Sequence, residues 1–476
     1  MTAQRASVST RKRSAGKVKV VGVLSLPLAA GLAIAGCSSS ASSTSAASGS
    51  SSPPPSSSPA SSSSPSSSSS GSAAGLGSYH PVTDYTAFIG GHAGAANSSL
   101  SPIDIGVINQ QGGSADLAPE WTNGAQVAAD YINQVGGGID GHPVKLVTCF
   151  VPDVVANAAQ CGQQFANNPA IQAVAVGPLA IGNQAMESAL APTGKLLVWG
   201  ISTSPVDVTY KSGYILFGDA THVEAPLATF MKQYLHAKSV SIIYPNVPGS
   251  SIDAQIVQAA LQYEGIPVKI VGFDTSTTNL AEPLIASGAA SASVLLNDSV
   301  GPAMCSDSYK AIKQLNITTP VLANVPCDNQ ITATGDGGTL PIGWYYASAI
   351  PLPGDAADPS FPAFAKVAGQ FGNGQYGTDS WTANAFGQLL TIAKWDDELL
   401  TSGKTITPAN LNTVAKAFKG PVPQGAPSLV CGSFPQALAV CNDRDQFFQN
   451  TAPGVFKAIA RWIGPPAGFQ IPANLE

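Results

Sequence analysis

Charge is scarce in this chain, and basic charge scarcer still. Only 11% of the 476 residues are charged, with 22 Lys and Arg against 28 Asp and Glu. Six of the basic residues (Arg5, Arg11, Lys12, Arg13, Lys17, Lys19) stand in the first 36 positions, which hold no acid. The remainder carries 16 basic against 28 acidic residues, a net charge near −12. Nucleic-acid binding needs clustered Lys and Arg against phosphates, so the balance argues against that class and against a polybasic membrane patch. The apolar stretch Val20 to Ala35 has about 16 residues, fewer than the roughly 20 of a spanning helix. Catalytic signatures are thin as well. The histidines, His80, His92, His142, His222 and His236, include no pair at HExxH spacing, and neither a GxSxG elbow nor a Walker A lysine motif occurs. Gly136-Gly137-Gly138 follows a helical run instead of opening one, so it reads as a C-cap and turn and not a phosphate loop. No enzymatic activity and no cofactor are expected.

What is present begins at Cys37. It closes the run Leu32-Ala33-Ile34-Ala35-Gly36-Cys37, behind the basic stretch and the short apolar segment. A charged n-region, a short apolar h-region and small residues at the cut describe an export signal. A cysteine directly after Ile-Ala-Gly looks like a bacterial lipobox. Residues 1–36 are therefore expected to be removed and Cys37 to carry lipid, which holds the protein on the outer face of the cell membrane. Residues 38 to about 75 are almost all Ser, Ala, Pro and Gly, and the stretch to Ser101 is little richer. With nothing apolar to bury, 37–101 is expected to be a disordered tether, with a span of roughly 45 Å as a flexible coil.

Six further cysteines fall in three close pairs, Cys149/Cys161, Cys305/Cys327 and Cys431/Cys441. An even number in an exported chain favours disulfides, though six cysteines allow fifteen connectivities. None of the pairs has CxxC spacing and no His lies close to one, so no metal is expected.

From Ile103 the pattern becomes a β-α repeat. Strands are expected at 103–108, 144–148, 173–177 and 196–199, with helices at 121–132, 154–168 and 183–190 between them. A second series follows residue 219. Its helices are expected at 223–235, 251–265, 280–287 and 299–315, and its strands at 239–244, 268–272, 294–297, 321–323 and 344–347. Helices at 361–371, 382–400 and 408–418 complete the folded part. Such repeats imply parallel sheets covered on both faces, and two series imply two lobes. Ligands bind outside the carboxyl ends of such strands, which places one site in the cleft between the lobes.

The order of several short runs resembles the leucine/isoleucine/valine-binding protein family, the type I periplasmic binding proteins that serve ABC importers. The runs are Ile105-Gly-Val-Ile, Gly124-Ala-Gln-Val-Ala-Ala-Asp-Tyr-Ile-Asn133, Gly137-Gly-Ile-Asp-Gly141, Ala173-Val-Ala-Val-Gly-Pro178, Ser202-Thr-Ser-Pro205 and Ser241-Ile-Ile-Tyr244. Weaker matches follow at Trp381 to Phe386 and at Gly420-Pro421. The resemblance implies an α/β fold of two doubly wound parallel-sheet lobes joined by hinge crossovers. Lobe 1 would hold 102–219 and about 350–422, lobe 2 would hold 220–349 and about 423–476. It also implies a monomeric receptor that captures a small polar solute, first a branched-chain or related amino acid, for an ABC permease and ATPase. An amide, urea-like or aromatic acid solute is the alternative, as is a sensing role in which the closed form meets a surface partner.

Site residues follow from the same resemblance. The ligand carboxylate would lie on the loops Leu179 to Gln184, with Ile181 and Asn183, and Ile201 to Ser204, with Ser202, Thr203 and Ser204. The family's lobe-2 tyrosine falls at Gly249 and its pocket aromatic at Leu117, with Trp121 one turn on and expected in the core. The ammonium-binding glutamate falls at Cys327-Asp328, so Asp328 or Asp298 would supply that carboxylate.

Overall fold

The computed structural model of the chain describes residues 80–475, apart from 114–116, 153, 203, 220, 300, 325–326, 328–337, 351, 353, 356 and 373–378. Cys37, the export segment and most of the expected tether lie outside the described residues. After a short helix α1 (Tyr85–Phe88), five strands make the first sheet: β1 (Ile103–Asn109), β2 (Val144–Phe150), β3 (Ala173–Val176), β4 (Leu196–Ser202) and β5 (Gly213–Asp219). They are all parallel, in the order β2-β1-β3-β4-β5, with Ile103 opposite Val144 and Ala173 opposite Leu196. The connections run through α2 (Pro119–Gln134), α3 (Val155–Ala166) and α4 (Asn183–Leu190). Pro119 and Glu120 suit the first turn of α2, where free N–H groups and the dipole favour them.

The second sheet holds β6 (Val240–Pro245), β7 (Val268–Phe273), β8 (Val294–Asn297), β9 (Val321–Ala323), β10 (Tyr345–Ser348), β11 (Asp445–Ala452) and β12 (Val455–Ile463). Its order is β12-β11-β10-β9-β8-β6-β7, parallel from β7 to β10 and antiparallel at β11 and β12. Helices α5 (Ala225–Gln233), α6 (Pro248–Tyr263), α7 (Ala281–Ser287) and α8 (Pro302–Gln314) cover it. The chain then returns to the first lobe for α9 (Ser360–Phe371), α10 (Ser380–Thr401) and α11 (Pro408–Ala417).

Each sheet has a core on both faces, because successive strand residues point opposite ways. Val107 packs with Trp121, Ile132, Phe386 and Leu389, while its neighbour Ile108 packs with Phe165, Val176 and Met186. In the second lobe Ile242 joins Phe230 and Val257, and Ile243 joins Leu284 and Ile312. Trp121 is fully buried, as expected of a core residue. All three close cysteine pairs are disulfide-bonded, with Cα–Cα distances of 5.5 Å for Cys149–Cys161 and 5.3 Å for Cys305–Cys327.

Two expected boundaries are corrected. Residues 80–101, read as tether, are partly structured on the first lobe. Asp84 caps α1, Tyr85 is buried edge-on against Phe386 at 4.9 Å, and its hydroxyl donates to Ser360 O. Ala96 N–H donates to Asn133 O, and Gly94 bridges Gly136. One buried aromatic and these backbone bonds outweigh a composition that suggested disorder. Residues 423–442, read as lobe 2, pack on the first lobe instead. Cys441 N–H bonds Ile215 O, Ile215 N–H bonds Ala439 O, and Ala437, Ala439 and Val440 fill the core under β4 and β5. The third crossover therefore lies between Cys441 and Asp445. β5, β11 and β12 are strands that the sequence reading did not mark.

The three crossovers are tied together by polar groups. Arg461 on β12 pairs with Asp355, donates to Asp358 Oδ2 at 3.0 Å and donates to Gln446 Oε1 at 2.8 Å. Asn442 Nδ2 donates to Phe217 O at the end of β5 and to Arg444 O. Among the described residues no helix is long and apolar enough to cross a membrane.

Candidate functional site

The strand tips of the two sheets meet across one crevice. Ser204, Pro205 and Val208 follow β4, Asp219 ends β5 and Thr221 follows it; Gly249, Ile252 and Asp253 come from the first turns of α6. Pro205, Val208 and Ile252 make the walls apolar, and the internal volume is about 10 Å³, close to that of one water molecule. Gly249 leaves open space, since a Cβ there would meet nothing within 4 Å.

Behind the first-lobe wall lies a carboxylate of the protein's own. Asp207 is fully buried and accepts from Ser202 Oγ at 2.7 Å and from Asn183 Nδ2 at 2.9 and 3.1 Å. The Ser204 backbone also donates to it. Beside it, burial and then Asp207 push the Glu187 carboxyl up to about 9, so Glu187 keeps its proton at neutral pH. Ser202 and Asn183 are expected to hold the carboxylate of a ligand; in the structure the Ser202 hydroxyl and the Asn183 side-chain amide donate to Asp207, an acid the sequence analysis does not single out.

The crossover after β5 carries a second polar unit. Asp219 accepts from Thr221 N–H and His222 N–H and pairs with His222 Nδ1 at 3.0 Å, while the His222 ring rests on Phe434 at 4.4 Å.

The second-lobe wall is acidic. Asp298 follows β8 and takes a hydrogen bond from Asn324, which follows β9; Glu224 precedes α5. Burial raises Glu224 to about 8, with Asp219 adding to the effect. Burial also raises Asp253, helped by Glu224, Asp298 and Asp219, and raises Asp298, helped by Glu224. Asp445, at the third crossover, is raised by burial and by Glu224. Oxygens of Glu224 (Oε2), Asp253 (Oδ1) and Asp298 (Oδ2) are shut off from solvent without a hydrogen-bond partner. Among the described residues no three His, Cys, Asp or Glu are grouped to hold a metal ion.

Of the expected site residues, Ser204 and Gly249 line the crevice and Asp298 belongs to the acid group beside it. Ile181 packs on the core of the first lobe, and Leu117 is 43% exposed with no place in the crevice wall. Thr203 and Asp328 lie outside the described residues. Asp253, Glu224 and Asp207 went unnoticed. For Asp253 a signal existed: it lies in the second turn of a helix that follows a strand of the second sheet.

Comparison with known proteins agrees with this architecture. The sequence profile of the family described as "Periplasmic binding protein" matches residues 102–420. A fatty acid ABC transporter substrate-binding protein from Thermomonospora curvata superposes with a TM-score of 0.65 at 14% identity, covering 80% of this chain and 98% of that one. The branched-chain amino acid transporter substrate-binding protein LivJ from Streptococcus pneumoniae, solved in complex with isoleucine, gives 0.60 at 14% identity, covering 76% and 100%. A solute-binding protein from R. palustris in complex with 4-hydroxybenzoate gives 0.60 at 16% identity, covering 77% and 99%. No curated protein matches the chain in sequence. With the profile spanning most of the folded region and the two-lobed type I architecture in place, the chain belongs to the periplasmic binding protein family.

Proposed function

We propose that this protein is an extracytoplasmic solute receptor, held to the membrane by lipid on Cys37, that captures a small polar solute between its lobes and hands it to the permease and ATPase of an ABC importer. One observation carries the reading: a crevice formed by strand tips and helix starts of both sheets, bridged by three crossovers that can act as a hinge. A crevice the size of one water admits a solute only when its rims part. Closure is then driven by whatever extra affinity the closed form has for the guest.

The fold leaves the solute open, since structures of this shape carry isoleucine in one case and 4-hydroxybenzoate in another. A branched-chain or related amino acid is the solute that the sequence resemblance puts first. The second-lobe acids support its ammonium half; the engaged donors of Ser202 and Asn183 do not support its carboxylate half. Small-angle scattering and thermal melting of the folded region, across amino acids, amides, amines and aromatic acids, test the proposal. A true solute contracts the particle and, at a hundredfold excess over Kd, stabilises it by about 2.7 kcal/mol. A protein that neither contracts nor melts higher with any solute class is not a receptor of this kind.

A further inference from the structure

Resting on the receptor reading, we infer that the solute is an organic cation without a carboxylate, an aliphatic amine or diamine, held by Asp253 with Glu224 and Asp298 behind it. Three observations converge. The first is the acid group formed by Asp253 on the second-lobe wall and Glu224 and Asp298 buried beside it, where the electrostatic influences come from other acids and from Asn324. The second is a set of buried acceptors that lack donors. Glu224 and Asp298 are more than nine-tenths buried, yet each keeps one partnerless oxygen, and so does Asp253 on the crevice wall. Ser250, 2% exposed and one helical turn before Asp253 on the same face of α6, also has a partnerless Oγ. A buried acceptor without a donor is costly, and an ammonium brings three donors and the compensating charge. The third observation lies behind the facing wall, where Asp207 engages Ser202, Ser204 and Asn183, the groups that the resemblance assigns to a ligand carboxylate. A guest with its own carboxylate would have to displace or neighbour that acid. Between the charged poles, Pro205, Val208 and Ile252 offer methylene groups an apolar surface.

Proton linkage makes the inference specific. Glu224, Asp253 and Asp298 hold protons above the ordinary carboxyl range, so an ammonium that binds them releases protons and binds more tightly as pH rises. Among the described residues, the further titratable groups that bear on them are Asp219 with His222 at the crossover and Asp445 at the start of β11. Calorimetry of the folded region with 1,4-diaminobutane, butylamine, isoleucine, 4-hydroxybenzoate and calcium chloride, in two buffers of different ionisation enthalpy, tests it. The diamine should bind with proton release and at least tenfold more tightly at pH 8 than at pH 6. Asp253→Asn should weaken it tenfold or more with an unchanged or higher melting temperature, because one repelling acid is gone. Isoleucine or 4-hydroxybenzoate binding with particle contraction, and no amine binding, overturns the cation and leaves the receptor standing. Calcium binding in place of amines overturns it in favour of a metal, and equal diamine affinity in Asp253→Asn shows the wrong wall. If no solute binds or contracts the protein, both readings fall.

Discussion

Ser202 shows how a residue type in the right place can serve another end. A hydroxyl at a strand tip suits an oxyanion, and here the oxyanion is internal. Ser202→Ala would leave Asp207 with fewer donors in a fully buried setting, a loss of about 1–3 kcal/mol. The expected result is a lower urea midpoint with little change in solute affinity; an affinity loss at unchanged stability would return Ser202 to the ligand. The raised acids also set a pH dependence. Burial holds Glu224 and Asp396 at about 8, and burial with Asp207 holds Glu187 at about 9, against 4.5 for an ordinary glutamate and 3.8 for an aspartate. Between those limits the folded state keeps protons that the unfolded chain has lost. Stability therefore falls as pH rises, on the order of 1 kcal/mol per pH unit for each group. The melting temperature of the solute-free protein should be higher at pH 5.5 than at pH 8.5, and a rise across that interval would contradict the buried protonated acids.

Among the helices, α2 and α10 pack closely. A Cβ on Gly124 would lie 2.1 Å from Thr382 O, and Thr382 Oγ1 donates to Glu120 O across the same contact. Gly124→Ala must push the helices apart, at a cost of about 1–3 kcal/mol or more, read as a lower thermal midpoint. The disulfides act on single elements too. Cys149–Cys161 joins β2 to α3 across 12 residues of chain, so replacing both with Ala should cost about 3 kcal/mol in urea denaturation through the freed unfolded chain. An unchanged midpoint would mean that the bond does not form in the exported protein. β-α units were readable because their strands are continuous apolar runs and their helices keep a 3.6 period. β11 and β12 escaped because Asp445-Gln-Phe-Phe-Gln-Asn mixes polar and apolar residues; the Pro453-Gly454 turn between them was the available hairpin signal.

At the scale of the whole molecule, two lobes share one chain that crosses three times, and Arg461 binds the second and third crossings together. It is 6% exposed in its side chain and faces Asp355 and Asp358. Arg461→Leu would leave two buried carboxylates without their partner, a loss of about 3–5 kcal/mol. Differential scanning calorimetry should show a lower midpoint, and separate transitions for the lobes where the wild type has one. A single unshifted transition would remove Arg461 from the hinge.

Most of the β-α order, without β5, β11 and β12, the close cysteine pairs and the family were readable from the residues in line, because hydrophobic period and local spacing are properties of neighbours in the chain. The contents of the cleft were not. Asp207 meeting Ser202 and Asn183, or Glu224, Asp253 and Asp298 gathering beside Asp219, joins residues from separate β-α units. Their protonation and their missing donors arise from burial against one another, a relation that exists only once both sheets have closed over them.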